Sequence, residues 1–358
     1  MSGRSLEHIR SILIVALQGI GNTILSVPAI NAIRRSLPEA EIYLVIPDIA
    51  QSELFARVPS VDRVVYLPRE RVAMPSWISK FWPRRPDLAV VAFPGGRRSA
   101  LLSAAVLGKR RVGHVDQRLL RWGKRLYSDA VPVRPGIHDR DQNLALVKAL
   151  GIQATDEDLA PVLELTPEDR LAGAEILERM SVGPVEPLLG VHPGCDPRFP
   201  EKKWPEQRYA DLCRRLYKDA GLRPLLLGGP REQEITSRIH RMLDGMSVDL
   251  GGKTNLLGVA SILERCAAFV GNDSGLMNIA AALGIPTVGL FGPSESSRTG
   301  PLGPRSLAVI SRIQCSPCYR MVRFGGCPHS DYPCMRDIAV DEVYKAVLRV
   351  WKEEPDRQ

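Results

Sequence analysis

The feature that most constrains this chain is a strand–helix alternation that runs once, breaks, and runs again. In the first half, short apolar segments at Ile12–Leu17, Ile42–Ile46, Arg63–Leu67, Leu88–Phe93 and Arg111–His114 alternate with helical patterns such as Val27–Ser36 and Ser99–Leu107. A further helical pattern, Gln142–Leu150, stops at Gly151, a common way for helices to end. Strands that are apolar throughout are buried on both faces, so this half predicts a parallel sheet covered by helices. Residues 152–185 carry Pro161, Pro167 and Pro184 among acidic side chains, with one helix at Pro167–Met180, and read as an interdomain region. The alternation then restarts with strands Leu188–Val191, Pro224–Leu227, Ser247–Asp249, Ala267–Val270 and Thr287–Phe291. Helices Glu206–Ala220, Glu232–Leu243, Leu256–Arg265 and Gly275–Leu283 lie between them, and Val340–Lys352 closes the chain. A chain of 358 residues exceeds one ordinary core. The expected fold class is therefore α/β, with two doubly wound Rossmann-like domains facing a cleft. Residues 1–165 form the first domain, residues 166–337 the second, and residues 338–358 a terminal helix.

Composition excludes several classes. No apolar run approaches the length of a bilayer span. Ile12–Leu17 is too short for a secretion signal and ends in glycines, so a cytoplasmic location is expected. The formal net charge of +8 points to an anionic partner. Arg97, Arg98, Lys109, Arg110, Arg111, Arg118, Arg121, Lys124 and Arg125 concentrate much of the positive charge. Trp77–Trp82 followed by Arg84-Arg85, and the amphipathic Leu119–Leu126, favour a phosphate-binding surface or peripheral contact with the inner membrane over a merely solvated face. No nucleic-acid-binding motif accompanies this charge, so no nucleic-acid partner is expected.

Three strand ends of the second half bear polar groups suited to a nucleotide. Val191-His-Pro-Gly194-Cys195 leads to Lys202-Lys-Trp-Pro205, Leu225-Leu-Leu-Gly228-Gly229 leads to Glu232, and Val270-Gly-Asn-Asp273-Ser274-Gly275-Leu-Met277-Asn278 opens a small-residue helix. A helix start offers unpaired amides and partial positive charge to a phosphate, with Asp273 or Ser274 as its expected cap. A lysine suits a diphosphate and a glutamate suits ribose hydroxyls. The first half has its own glycine turn, Gly19-Ile-Gly21-Asn22-Thr23-Ile24, but Ile24 stands where a dinucleotide fingerprint has its third glycine. That weakens an oxidoreductase reading.

These segments, with Cys315-Ser-Pro-Cys318 and Pro333-Cys334-Met-Arg-Asp-Ile338, resemble glycosyltransferase family 9, the ADP-heptose:lipopolysaccharide heptosyltransferases, from Ile12 to Val350. The resemblance implies a GT-B fold with an N-terminal acceptor domain, a C-terminal nucleotide-sugar domain, and a last helix that returns to the first domain. It implies an inverting transferase that uses ADP-heptose or a related donor, with no catalytic metal, and a phosphorylated glycan or lipid-linked acceptor such as lipopolysaccharide core. Gly194, Cys195, Lys202, Gly228, Gly229, Glu232, Asp273, Ser274, Gly275, Met277 and Asn278 would then hold the donor, with Lys202 also steadying the leaving group. Gly19, Gly21, Asn22 and Thr23 would face the acceptor.

Two departures matter. The family reads Gly-Asp where this chain reads Gly21-Asn22, and that aspartate is its assigned base; an amide cannot take the acceptor's proton. Asn22 therefore orients substrate while another group serves, with Asp116 placed ahead of Asp139, Asp141, His114 and His138. Otherwise the acceptor needs little base, or the chain is a sugar-nucleotide-binding or metal-binding module that transfers nothing. A family 9 enzyme acting on a protein or small-molecule acceptor is also open. The second departure is Asn278, where the family has a histidine; it is expected to offer the diphosphate a neutral amide donor.

Cys315, Cys318, Cys327 and Cys334 are spaced C-x2-C-x8-C-x6-C. Four thiols opened by a CxxC knuckle predict a structural Zn or Fe site, with a reduced, metal-free loop as the alternative. Some chains that this one resembles carry such a metal-bound cysteine finger.

Overall fold

Both sheets have the same strand order, and that order places the functional crevices. The structure is a computed structural model that describes residues 6–67, 85–105, 108–115, 125–319, 326–329 and 331–352. The chain divides into two units, Met1–Glu164 and Leu165–Gln358. The first holds β1 (Ser11–Val15), β2 (Glu41–Ile46), β3 (Arg63–Tyr66), β4 (Leu88–Val91), β5 (Arg110–Val115) and β6 (Asp129–Pro132), ordered β3-β2-β1-β4-β5-β6. The second holds β7 (Leu188–His192), β8 (Arg223–Leu226), β9 (Val248–Asp249), β10 (Cys266–Asn272), β11 (Thr287–Phe291) and β12 (Ser306–Ile310), ordered β12-β11-β10-β7-β8-β9. All pairings are parallel.

In each unit the chain winds outward from a central strand and then returns to that strand's other side. The reversal falls between β1 and β4 in the first unit and between β7 and β10 in the second. Helices on either side of the reversal leave opposite faces of the sheet, which opens a crevice beyond the carboxyl ends of those strands. The two α/β sheets expected from the sequence are therefore present. β6 and β12 were not anticipated; both are edge strands, where partial exposure dilutes the apolar signal.

The central strands β4, β7 and β11 are buried at every residue, as a doubly covered parallel sheet requires. The second core gathers Leu189 and Val191 of β7 with Trp204, Tyr209, Leu212 and Leu216, and extends to Val343, Val347 and Val350 of the last helix, Val340–Lys352. The last helix is part of the second unit. Its apolar stripe packs inside the second unit, where Trp204 Nε1 also donates to the carbonyl of Ile338 at 3.0 Å. No helix among the described residues is long and apolar enough to cross a membrane.

Candidate functional site

The crevice of the second unit is assembled by one buried amide. Asn272, the last residue of β10, is fully buried. Its Nδ2 donates to the carbonyls of Pro193 at 2.9 Å and Gly194 at 3.1 Å, and its Oδ1 accepts from Trp204 N at 3.1 Å and Tyr209 Oη at 2.9 Å. Every hydrogen-bonding position of the side chain is filled. The loop after β7, the segment bearing Lys202 and the end of β10 are locked together.

Onto this frame come the charged groups. Glu232 follows the Gly228-Gly229 turn; its Oε2 accepts from Gly229 N at 2.7 Å, and its Oε1 lies 3.1 Å from His192 Nε2. A Cβ at Gly194 would sit 2.1 Å from that Oε1, and one at Gly228 would sit 2.8 Å from Glu232 Cβ. Both glycines are required for the carboxylate to enter. Burial opposes the charge of Glu232, but the hydrogen bond and field of His192, the Gly229 amide and the field of Lys203 together hold its pKa below the usual value. Lys202 Nζ meets Asp273 Oδ2 at 2.6 Å, with the two side chains 13% and 9% exposed. The rings of Phe199 and Tyr319 flank the ammonium at 5.4 and 5.2 Å. Burial disfavours that charge, yet Asp273 outweighs it and raises the lysine's pKa.

The helix Gly275–Ala282 begins at the crevice. Ser274 occupies the cap position but makes no side-chain bond to the helix amides; its Oγ lies 3.0 Å from His192 Nδ1. The expected side-chain cap is therefore corrected, and the first-turn amides stay available to an anion. Three of the expected donor residues have defined surroundings. Asn278 Nδ2 donates one of its two N–H groups to Ser274 O at 3.1 Å, and its buried Oδ1 has no partner among the described residues. The side chain of Met277 is fully buried against Gly289, which leaves only its backbone for a ligand. The thiol of Cys195 is buried, donates to Phe199 O at 3.2 Å and is pushed by burial up to about 12, so it does not ionise near neutral pH.

Two residues at this crevice were missed: His192 and Asn272. Their signal was present, because each ends a strand inside a quoted motif. A fourth strand end was missed as well. The loop after β9 joins the crevice through Gly252 N, which donates to Gly228 O at 2.8 Å. Its run Gly251-Gly-Lys-Thr-Asn255, just before the helix Leu256–Leu263, was the readable cue.

The crevice of the first unit is built differently. Gly19 precedes a single helical turn, Ile20–Ile24, that carries half-buried Asn22. Thr23 is buried, with its hydroxyl 3.4 Å from Gly19 O, so its side chain braces the turn. Asn143 is the counterpart of Asn272. Its Oδ1 accepts from Phe93 N beyond β4 at 2.8 Å, and its Nδ2 donates to Asp139 O at 2.9 Å and Leu25 O at 3.3 Å.

Of the base candidates, Asp116 lies outside the described residues. Asp139 and His114 are buried, and burial lowers the imidazole's pKa while its Nε2 meets Gln142 O at 2.9 Å. His138 accepts from Arg140 N at 3.1 Å through Nδ1, and Asp141 pairs with Arg140 at 2.7 Å. Most of the aromatic-basic stretches expected at a membrane also lie outside the described residues. Part of the remaining basic cluster is structural: Lys109 pairs with Asp87 at 2.7 Å and Arg110 with Asp129 at 2.9 Å.

The four cysteines feel one another. Burial and the fields of Cys318, Cys327 and Cys315 push Cys334 up to about 11, despite a backbone hydrogen bond that lowers it. Among the described residues, however, no three His, Cys, Asp or Glu side chains are set to hold a metal ion. The loop is anchored beside β11, where Cys318 N and Tyr319 N donate to Pro293 O at 3.0 and 2.7 Å.

Comparison with known proteins fits this geometry. The chain is similar to lipooligosaccharide heptosyltransferase 2 of Haemophilus ducreyi, 29% identical over 352 residues, which span 93% of this chain and 97% of that protein. Its fold is similar to that of ADP-heptose lps heptosyltransferase II of E. coli, with a TM-score of 0.76 at 24% identity over 95% of this chain and 98% of the other. It is also similar to the E. coli heptosyltransferase WaaC solved with ADP, with a TM-score of 0.71 at 18% identity over 95% and 99%. The family description "Glycosyltransferase family 9 (heptosyltransferase)" matches residues 87–327. The chain belongs to that family and is a glycosyltransferase.

Proposed function

We propose that the protein transfers a heptosyl group from ADP-heptose to a lipopolysaccharide-core glycan with inversion at the anomeric carbon. The observation that carries this reading is the crevice of the second unit, where the buried Lys202 ammonium, the uncapped start of the helix Gly275–Ala282 and the Glu232 carboxylate converge around the ends of β7, β8 and β10. An ammonium and a helix start stabilise a departing diphosphate, and a carboxylate receives ribose hydroxyls. The named activities of the relatives supply the sugar and the acceptor class. Asn22 orients the acceptor hydroxyl, and Asp116, which follows β5 in sequence, takes its proton.

Two accessory readings belong with this one. The spacing of Cys315, Cys318, Cys327 and Cys334 supports a soft donor set for structural Zn or Fe, which would have to gather thiols that this structure does not bring into one ligand group. The positive charge of the first unit favours a phosphorylated, lipid-linked acceptor and peripheral contact with an anionic cytoplasmic membrane face.

The deciding experiment incubates the protein with ADP-heptose and purified heptose-deficient lipopolysaccharide core. ADP release coupled to a heptose mass increment on the acceptor is the expected result. Binding of ADP-heptose with no transfer to any core acceptor overturns it. Elemental analysis of protein purified under reducing conditions tests the cysteine site, with one Zn or Fe per chain expected.

A further inference from the structure

His192 is buried at 2% exposure, and both of its ring nitrogens are engaged by crevice groups. Nε2 is 3.1 Å from Glu232 Oε1, and Nδ1 is 3.0 Å from Ser274 Oγ. A neutral imidazole carries one N–H, so the two contacts cannot both be donations. The proton cannot sit on Nδ1 alone, because a bare Nε2 would then face a carboxylate, lone pair against lone pair. In the neutral ring Nε2–H therefore donates to Glu232, and Nδ1 accepts the hydroxyl proton of Ser274. That arrangement presents the oxygen lone pairs of Ser274 to the mouth of the helix Gly275–Ala282, which is the wrong polarity for a phosphate. One added proton reverses it. The imidazolium donates from both nitrogens, Ser274 becomes an acceptor toward His192, and its hydroxyl proton is released to point elsewhere.

We infer that His192 is a positioning residue for the diphosphate: when it gains a proton from solvent, Ser274 turns from hydrogen-bond acceptor to donor toward the nucleotide sugar, so donor binding takes up a proton. This rests on the proposed donor site and deepens it. The charged groups around the ring are consistent with such a role. Glu232 lies directly on Nε2, Lys203 reaches that carboxylate through its field, and the Lys202–Asp273 pair adjoins Ser274 in the chain. Cys195 next to Gly194 stays neutral, its thiol being pushed up to about 12 by burial.

The test is calorimetric titration with ADP-heptose in buffers of different ionisation enthalpy, from about pH 6 to about pH 9. ADP-heptose is chosen over ADP because its diphosphate diester has no proton to lose in this range. The expected result is proton uptake on binding, with affinity greatest at low pH. Uptake of one proton corresponds to an affinity that falls by at most about tenfold per pH unit as pH rises. His192→Asn should bind more weakly and lose both the slope and the uptake, and Glu232→Gln should move the slope to lower pH. A flat profile with no linked proton in the unmodified protein overturns the inference, as does an unchanged slope in His192→Asn. Failure to bind ADP-heptose at any pH would instead overturn the donor site itself.

Discussion

The two units share one strand order, and each opens a crevice where the order reverses, yet the crevices are lined by different chemistry. In the second unit the strand ends deliver Lys202, Asp273, Glu232 and His192 within hydrogen-bonding distance in pairs, together with a helix start whose amides are left open. In the first unit the corresponding strands are tied by Asn143, and the turn after β1 presents backbone and the amide of Asn22. Topology thus fixes where a ligand is received, and loop chemistry fixes which ligand. A charged crevice suits a diphosphate. A crevice of neutral amides suits a sugar hydroxyl, provided that a base is brought to it from elsewhere.

The largest expected effect breaks the comparison on the first-unit side. Asp116→Ala should lower kcat by about 10²- to 10⁴-fold, the usual contribution of general base catalysis, while the Kd for ADP stays unchanged. Full turnover in that variant would remove Asp116 from the reaction. On the other side, Lys202→Ala should lower kcat/KM by about 10²- to 10³-fold and also weaken ADP. Because the change leaves Asp273 buried without its partner, the melting temperature should be measured alongside. Only the second variant should lose nucleotide affinity, and a first-unit variant that lost it equally would contradict the division of labour.

The two bracing asparagines give a finer version of the same comparison. Asn143→Ala and Asn272→Ala each strand buried backbone groups, so each should cost about 1–3 kcal/mol in urea unfolding. Their functional readouts should differ. Asn272→Ala releases the carbonyls of Pro193 and Gly194 and loosens the loop that admits Glu232, so ADP binding weakens. Asn143→Ala leaves ADP binding intact and raises the KM for the acceptor. Equal effects on ADP would show that the braces serve stability alone.

How much of this was legible depends on the distance over which each feature is specified. Strands such as Ile12–Leu17 and Thr287–Phe291 declare themselves, because both faces of a central parallel strand are buried. Lys202, Glu232 and the Ser274 helix start were readable because glycine turns at strand ends are local patterns. Long-range pairings were not. Nothing near Asn143 in sequence indicates that its partners are Phe93, 50 positions away, and Leu25, 118 positions away. His192 was visible, but only the pair of bonds to Glu232 and Ser274 gives it a role. The last helix shows the same limit: its amphipathic pattern reveals that one face is covered, and the sheet covering it is a tertiary fact. A motif also names residues such as Thr23 and Met277 without saying whether side chain or backbone faces the crevice.

The smallest expected effect separates structural charge from functional charge. In the first unit, Arg35 on the helix Val27–Ser36 grips Asp158, with Nη2 at 2.8 Å and Nε at 3.1 Å from Oδ2, and Thr155 N donates to the same oxygen at 2.8 Å. Burial works against the carboxylate, but Arg35 and Thr155 outweigh it and hold its pKa below the usual value. A depressed folded value means that the unfolded chain binds this proton first on acidification. The pair's contribution is therefore complete above the ordinary carboxylate range and fades as pH falls through the folded value. Asp158→Asn should flatten the acid limb of stability against pH, read from urea midpoints, and leave ADP affinity alone. The Lys202–Asp273 pair should behave in the opposite way, because a bound diphosphate competes for the same ammonium and couples stability there to ligand by mass action. Saturating ADP should consequently protect amides around β7 and β10 from hydrogen exchange more than those around Asp158. Equal protection at both places would mean that the charge in the second unit serves the fold and not the ligand.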